Sequence, residues 1–129
     1  MTINIDNSRK TQSEGVWTSF NGSQFKVAHT SSNKFQRILN RLQAPYRRKI
    51  DKGILDPAIS KEILCTAMAE AILLDWKEVV NGKNETVEYS SEIATKALAN
   101  NDDLREYIQE YAMDLENFRS ETMVEEGNS

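Results

Sequence analysis

Few residues of this chain are suited to metal, redox or nucleophilic chemistry. Its 129 residues include one cysteine, Cys65, and one histidine, His29. A lone cysteine forms no intramolecular disulfide, and within an apolar run it is typical of a small buried hydrophobic residue. His29 lies far from Cys65 in the sequence, so we expect neither a Cys–His nucleophile nor a zinc site built from these side chains.

Long apolar runs are also absent. No stretch approaches the roughly 18 apolar residues that a membrane-spanning helix needs, and residues 1–15 lack the apolar core of a secretory signal. There is no Gly-rich phosphate loop, no His/Asp/Glu cluster and no Ser–His motif. We therefore expect a non-enzymatic protein without a cofactor or metal, which does not contact membranes and stays in the cytoplasm where it is made.

Opposite charges are concentrated in the two halves of the chain. Residues 1–53 contain ten Lys/Arg and three Asp/Glu, whereas residues 54–129 contain six and seventeen. The basic half could contact nucleic acid, but the acidic half would repel it. The two halves could also attract each other, either within one chain or between copies in a homo-oligomer.

The first half predicts a hairpin followed by a basic helix. In VWTSFNGSQFKVAH, apolar and polar residues alternate on both sides of Asn21-Gly22. This dipeptide favours a type I′ turn, because both central residues need a positive φ. Residues 34–49 change to helical spacing, and Pro45 predicts a kink or a break near Gln43–Ala44. Asp56 and Pro57 then form the N-cap and first residue of the next helix.

Three further helices are predicted in the second half. Residues 57–80, the most apolar stretch, have helical spacing, and Asn81-Gly82 would end this helix with glycine in the left-handed conformation. A short helix capped by Ser90 or Ser91 and a final helix beginning near Asp102 follow.

The expected fold is therefore mainly α: a small helical domain with four to five helices and a short N-terminal β-hairpin. Residues 16–121 are predicted to form a single domain between a flexible N-terminal segment, 1–15, and a flexible acidic tail, 122–129.

The end of the long predicted helix could be either an active site or a folded corner. Helical spacing places Asp75 at the edge of the apolar face. A buried carboxylate needs a partner, and the candidates are Arg37, Arg41 or backbone N–H groups of the following loop. Trp76 would pack against Tyr89 as the chain folds back. No second catalytic group accompanies the acid, so we interpret the site as a structural corner formed by Asp75, Trp76, Asn81, Gly82, Tyr89 and Ser90.

Apolar side chains recur at heptad-like spacing along the final helix. Acidic residues continue beyond its first turn, where the helix dipole favours them. They form either a solvated face or a docking surface for a basic partner. The hypothesis is that the apolar seam serves both the core and either self-association or the binding of a partner, so its members are candidate partner-binding residues: Leu104, Tyr107, Ile108, Tyr111, Leu115 and Phe118.

The order of these features resembles a known family. The VWTSFNGSQFKV hairpin is followed by a basic helix, then by AILLDWKEVVNGKNETVEYSSEIATKAL and by LREYIQEYAMDLENFRSE. Over roughly residues 16–120 this arrangement resembles the tail assembly chaperones of long, non-contractile-tailed bacteriophages.

The resemblance implies a small, mostly helical, non-enzymatic protein in the cytoplasm of an infected host. Such chaperones bind tail tube subunits and the tape measure protein, prevent premature polymerisation of the tube and are absent from the finished virion. Related phages make a longer form by ribosomal frameshifting, which a protein sequence does not reveal. No catalytic or ligand residue carries over from the family.

Two other classes of protein stay open. A nucleic-acid-binding protein would use the basic 37–52 segment, in which Tyr46 lies among Arg37, Arg41, Arg47, Arg48, Lys49 and Lys52. The net charge of −4 argues against a nucleic-acid partner. The second alternative is a structural tail or adaptor protein of the virion.

Overall fold

A computed structural model describes residues 12–118 of the chain. The predicted acidic tail lies outside these residues, as does most of the predicted flexible N-terminal segment. After a short helical turn at residues 12–14, the elements in chain order are β1 (Val16–Phe20), β2 (Ser23–Val27), α1 (Asn33–Gln43), a 3-10 turn (Ala44–Tyr46), α2 (Arg47–Asp51), α3 (Pro57–Ala71), β3 (Leu73–Lys77), α4 (Ser91–Asn100), α5 (Asp102–Met113) and a second 3-10 turn (Leu115–Phe118).

Strands β1 and β2 form the predicted hairpin. Asn21 has a φ of 51° and Gly22 a φ of 84°, the two positive values that a type I′ turn needs. The side chains of Phe25 and Val27 are buried on the helix-facing side of the sheet. The predicted turn and its position are therefore confirmed.

The last part of the segment that was predicted to be a long helix forms a third strand. Helix α3 ends at Ala71, and the chain continues as β3, antiparallel to β2, which becomes the central strand. The register shifts at a β-bulge that leaves Leu74 unpaired. This bulge places both Leu73 and Trp76 on the buried side, at the i, i+3 spacing of a helix. The prediction of a helix over residues 57–80 is wrong beyond Ala71.

The fold is consequently mixed α/β, and the prediction of a mainly α domain with only a short hairpin is wrong. A three-stranded antiparallel sheet, in the order β1-β2-β3, forms one layer. One hydrophobic core joins this sheet to the helices, and its large members include Phe25, Phe35, Met68, Ile72, Trp76, Leu98, Ile108 and Phe118.

Helix α3 is the central helix and packs against both α1 and α4. The carboxylate of Asp56 accepts a hydrogen bond from the Ala58 N–H at 2.9 Å, and Pro57 occupies the first turn, as predicted. Cys65, Ala67 and Ala69 have no exposed surface. These small side chains allow the neighbouring elements to approach α3 closely.

The remaining helices end where the chain changes direction. Helix α1 stops at Gln43, and Pro45 lies in the 3-10 turn that follows, which confirms the predicted break. Helix α5 is shorter than the predicted final helix, because Asp114 adopts an extended conformation. The second 3-10 turn then buries Phe118 in the core, in edge-on contact with His29.

Candidate protein-binding surfaces

Asp75 lies on the exposed face of the sheet, in β3, and not on a helix. Its carboxylate accepts a hydrogen bond at 2.8 Å from the N–H of Trp76. Exposed to water, this carboxylate needs no buried counter-ion, and the predicted partners Arg37 and Arg41 do not pair with it. Arg41 instead forms an ion pair with Glu70 at 3.5 Å.

Trp76 is the buried centre of the corner. The residue is 6% exposed, and its indole N–H donates a hydrogen bond to the Val87 carbonyl at 2.9 Å. The ring of Tyr89 lies edge-on at 5.3 Å, which is the contact predicted from the sequence. Phe25 packs on Trp76 from β2, also edge-on, at 6.4 Å. These contacts attach the loop after β3 to the sheet.

The hydroxyl of Tyr89 closes the C-terminal end of α3. It lies 2.9 Å from the Ala69 carbonyl oxygen and 2.6 Å from that of Leu73. The last carbonyls of a helix have no partner within the helix, so this hydroxyl satisfies one of them. Burial, and secondarily the Asp75 carboxylate, raises the pKa of Tyr89. The hydroxyl therefore keeps its proton and donates at neutral pH.

Asn81 organises the loop that follows β3. Its side-chain oxygen accepts hydrogen bonds from the N–H groups of Lys83 at 2.9 Å and Glu85 at 3.0 Å. Asn84 has a φ of 62°, so it adopts the left-handed conformation that was predicted for Gly82. Gly82 lies outside that region of backbone space, so its predicted role as a helix-ending glycine is wrong.

Ser90 caps α4 as predicted. Its side-chain oxygen accepts a hydrogen bond from the Ile93 N–H at 3.1 Å. The corner is thus built from backbone and aromatic contacts around buried Trp76, and its exposed members are Asp75, Asn81 and Gly82.

The apolar seam of α5 is largely internal. Ile108 and Phe118 are buried, whereas Leu104, Tyr107 and Tyr111 are half-buried and Leu115 is exposed. The seam therefore serves the core first, and the residues that it leaves for a partner lie near its C-terminal end.

Tyr107 attaches α5 to the edge strand β1. Its ring stacks on Phe20 with the centroids 4.6 Å apart, and its hydroxyl is hydrogen-bonded to Thr18. The ring of Tyr111 lies 6.1 Å from that of Tyr107 and 5.9 Å from that of Phe118. A charge placed on either tyrosine would disturb this contact with the sheet, so neither residue tests partner binding separately from folding.

An apolar groove lies between α1, α3 and α5. This α5 groove has a volume of about 300 Å³. Met113, 62% exposed, forms its edge, and the exposed acids Glu110 and Asp114 lie beside it on α5. The apolar side chains that line the groove are Phe35, Leu39, Leu64, Met68, Ile72, Ala112 and Met113.

Sequence reasoning did not identify Met113 or the groove. The wall residues Leu39 and Leu64 belong to two different helices, and nothing in the local pattern shows that these helices meet α5. No local signal singles out Met113, because single apolar side chains among charged residues are common on protein surfaces.

Asp102 joins the start of α5 to α3. Its carboxylate lies 2.8 Å from the Arg105 guanidinium and 3.8 Å from the Lys61 ammonium. The hydrogen bond from Arg105, followed by the charges of Arg105 and Lys61, lowers the pKa of Asp102. Cys65 has the opposite shift, because burial raises the pKa of its thiol and leaves little reactive thiolate.

Within residues 12–118, no three His, Cys, Asp or Glu side chains lie together as a metal site would require. The helices in this part of the chain are all too short or too polar to cross a bilayer.

The ring of His29 forms a hydrogen bond with the Ser31 hydroxyl at 2.6 Å.

The family model of the YdaY prophage protein matches residues 30–128. The chain belongs to this family. It is therefore a phage-derived protein. The resemblance stated from the sequence also pointed to phage proteins, and it named a specific class among them. The matched region contains α1 to α5 and β3, while the β1–β2 hairpin precedes it. No curated protein and no solved structure matches the chain.

Proposed function

We propose that this protein is a phage tail assembly chaperone. In the host cytoplasm it binds tail tube subunits and the tape measure protein non-covalently, holds the subunits back from premature polymerisation and promotes ordered tail assembly. It is not retained in the mature virion. Membership of a prophage family and the resemblance of residues 16–120 to tail assembly chaperones support this proposal.

The observation that carries the proposal is the α5 groove. A chaperone of self-assembling subunits has to cover part of the client's surface and later release it. The groove offers apolar contact area, and the charged residues beside Met113 form a polar rim. Apolar contact with a charged rim is the combination that reversible protein interfaces use.

A second candidate function rests on the basic segment. Arg37, Arg47, Arg48, Lys49 and Lys52 are exposed, as phosphate binding would need. A gel shift with DNA or RNA that weakens steeply with salt would favour this function. Mass spectrometry of purified virions tests the other alternative, a structural tail or adaptor protein.

The test of the chaperone proposal is co-expression with the tail tube protein of the same phage. We expect the wild-type chain to keep the tube protein monomeric in size-exclusion chromatography. Met113→Asp should weaken binding of the tube protein by about tenfold or more, since it places a charge at the edge of the apolar groove. Its exposed position predicts an unchanged circular dichroism spectrum.

Ile93→Asp is the matched control, because Ile93 is an exposed apolar residue, 42% accessible, on α4 and does not line the α5 groove. This variant should protect the tube protein as well as the wild type does. Polymerisation of the tube protein in the presence of the wild-type chain would contradict the proposal. Equal protection by both variants would contradict the assignment to the α5 groove.

A further inference from the structure

A second groove lies on the other side of the contact between α1 and α3. It has a volume of about 400 Å³ and is bounded by α1, α2 and the start of α3. We call it the α1–α2 groove. Leu39 and Leu64 line both grooves and separate them. Ile50, Leu55 and Ile63 give the α1–α2 groove a mainly aliphatic lining.

The edge of this groove is positively charged. Arg47 precedes the lining residue Ile50 by one turn of α2, so both lie on the same face of the helix. Lys52 is next to the lining residue Gly53, and the side chains of Arg47 and Lys52 are both exposed. Residues 34–60 contain seven Lys/Arg, whereas the acids next to lining residues are Asp51, Asp56 and Glu62. Within the described part of the chain, only Arg41 of these cations forms an ion pair.

The lining favours a protein partner over nucleic acid. Bases bind proteins largely by stacking on exposed aromatic rings, and the aromatic residues of segment 34–52 are buried Phe35 and half-buried Tyr46. Neither lines the groove. Aliphatic side chains instead accept the apolar face of an amphipathic peptide, as in helix-in-groove recognition.

We infer that the α1–α2 groove binds an acidic amphipathic peptide segment of a partner protein. The aliphatic side chains of the segment enter between Leu39, Ile50 and Ile63. Its carboxylates pair with Arg47 and Lys52 at the edge. This inference does not rest on the chaperone proposal, because the groove differs from the α5 groove and peptide binding is measured without the tube protein.

Fluorescence anisotropy with a labelled synthetic peptide and the full chain tests the inference. The probe is a peptide of about 14 residues with Leu at helical i, i+3 and i+4 spacing and Glu elsewhere. We expect saturable binding that weakens in about 0.3 M NaCl. Arg47→Glu/Lys52→Glu should weaken binding by about tenfold or more. Ser60→Trp should do the same, because Ser60 is exposed and lines the groove, so that an indole there fills it.

Arg37→Glu is the matched charge control. Arg37 lies two residues before Leu39 on α1 and hence about 200° around the helix from the groove. This variant should change the affinity by less than about twofold. Peptides with Lys in place of Glu, or Ser in place of Leu, should not bind.

Three results would overturn the inference. The first is absence of binding to the wild type, or an equal loss in Arg37→Glu and Arg47→Glu/Lys52→Glu. The second is tighter binding of a single-stranded DNA oligonucleotide than of the acidic peptide, which would assign the surface to nucleic acid. The third is self-association that Arg47→Glu/Lys52→Glu abolishes without any peptide binding, which would assign the groove to a second copy of this chain.

Discussion

The Tyr89 hydroxyl connects the segment before α4 to the junction between α3 and β3. It meets the carbonyl oxygens of Ala69 at the end of α3 and Leu73 in β3, while its ring packs on Trp76. Removing the hydroxyl leaves partly buried carbonyls without this donor, and an unsatisfied buried polar group costs more than an exposed one.

We therefore expect Tyr89→Phe to lower the free energy of unfolding by about 1–2 kcal/mol. Urea denaturation followed by circular dichroism measures this difference. Tyr46→Phe is the control, since the Tyr46 hydroxyl forms no hydrogen bond with the described residues, and this variant should unfold at the wild-type urea concentration. An equal loss in both variants would mean that Tyr89 stabilises the fold through its ring alone.

At the scale of secondary-structure elements, Asp102 connects α3 to the start of α5 through Lys61 and Arg105. Since these cations lower the pKa of the folded carboxyl, ionised Asp102 stabilises the folded state. This contribution to stability is fully present when the pH is above 3.8, the ordinary pKa of an aspartate side chain. It is lost as the pH falls through the lower folded pKa.

Asp102→Asn should consequently have a lower thermal midpoint than the wild type at pH 7. The difference in thermal midpoint between Asp102→Asn and the wild type should disappear as the pH falls below 3.8. Asp103→Asn is the control for the helix dipole, because Asp103 also lies in the first turn of α5 but forms no ion pair among the described residues. A gap that persists unchanged in acid would show that the Asp102 side chain acts through its shape and not its charge.

Elements with local signals could be predicted, and β3 could not. Asn21-Gly22, Pro45 and Ser90 each act within a few residues of their own position, so the sequence determines their structure directly. Strand β3 contains no β-branched residue, and the bulge at Leu74 removes the alternation that identifies a strand. The pairing of β3 with β2 decides the outcome, and that contact joins distant parts of the chain.

The α5 groove and the exposure of the seam residues also depend on contacts between distant parts of the chain, which local sequence patterns do not show. Heptad-like spacing correctly identified one face of α5, but spacing alone does not tell whether sheet or solvent covers it. Tyr107 packs on the sheet, Ile108 is buried in the core, and the exposed residues are Met113 and Leu115. The contact between α5 and the hairpin could be predicted only with knowledge of the mixed α/β fold, and the sequence pattern did not reveal that fold.

At the scale of the whole molecule, the β1–β2 hairpin belongs to the core even though the family match begins after it. Phe25 is 4% exposed and Val27 is fully buried, and Tyr107 of α5 stacks on Phe20 of β1. Removal of the hairpin would expose the buried faces of β3 and α5 together.

A fragment comprising residues 30–129 should therefore lose cooperative unfolding, although it contains the whole region that the family model matches. Differential scanning calorimetry should give no transition for this fragment and a single transition for a fragment comprising residues 12–129. A cooperative transition in the shorter fragment would show that the helices and β3 form a core without the hairpin.

Strand β2 is the middle of the sheet, yet one of its two partners is synthesised about 50 residues later, after α1 to α3. While the chain is emerging from the ribosome, the edge of β2 that pairs with β3 is unsatisfied, and Phe25 and Val27 lack most of their cover. A nascent hairpin in this state is prone to aggregate. We expect a translational pause before Leu73 to lengthen that interval and so to lower the yield of folded protein.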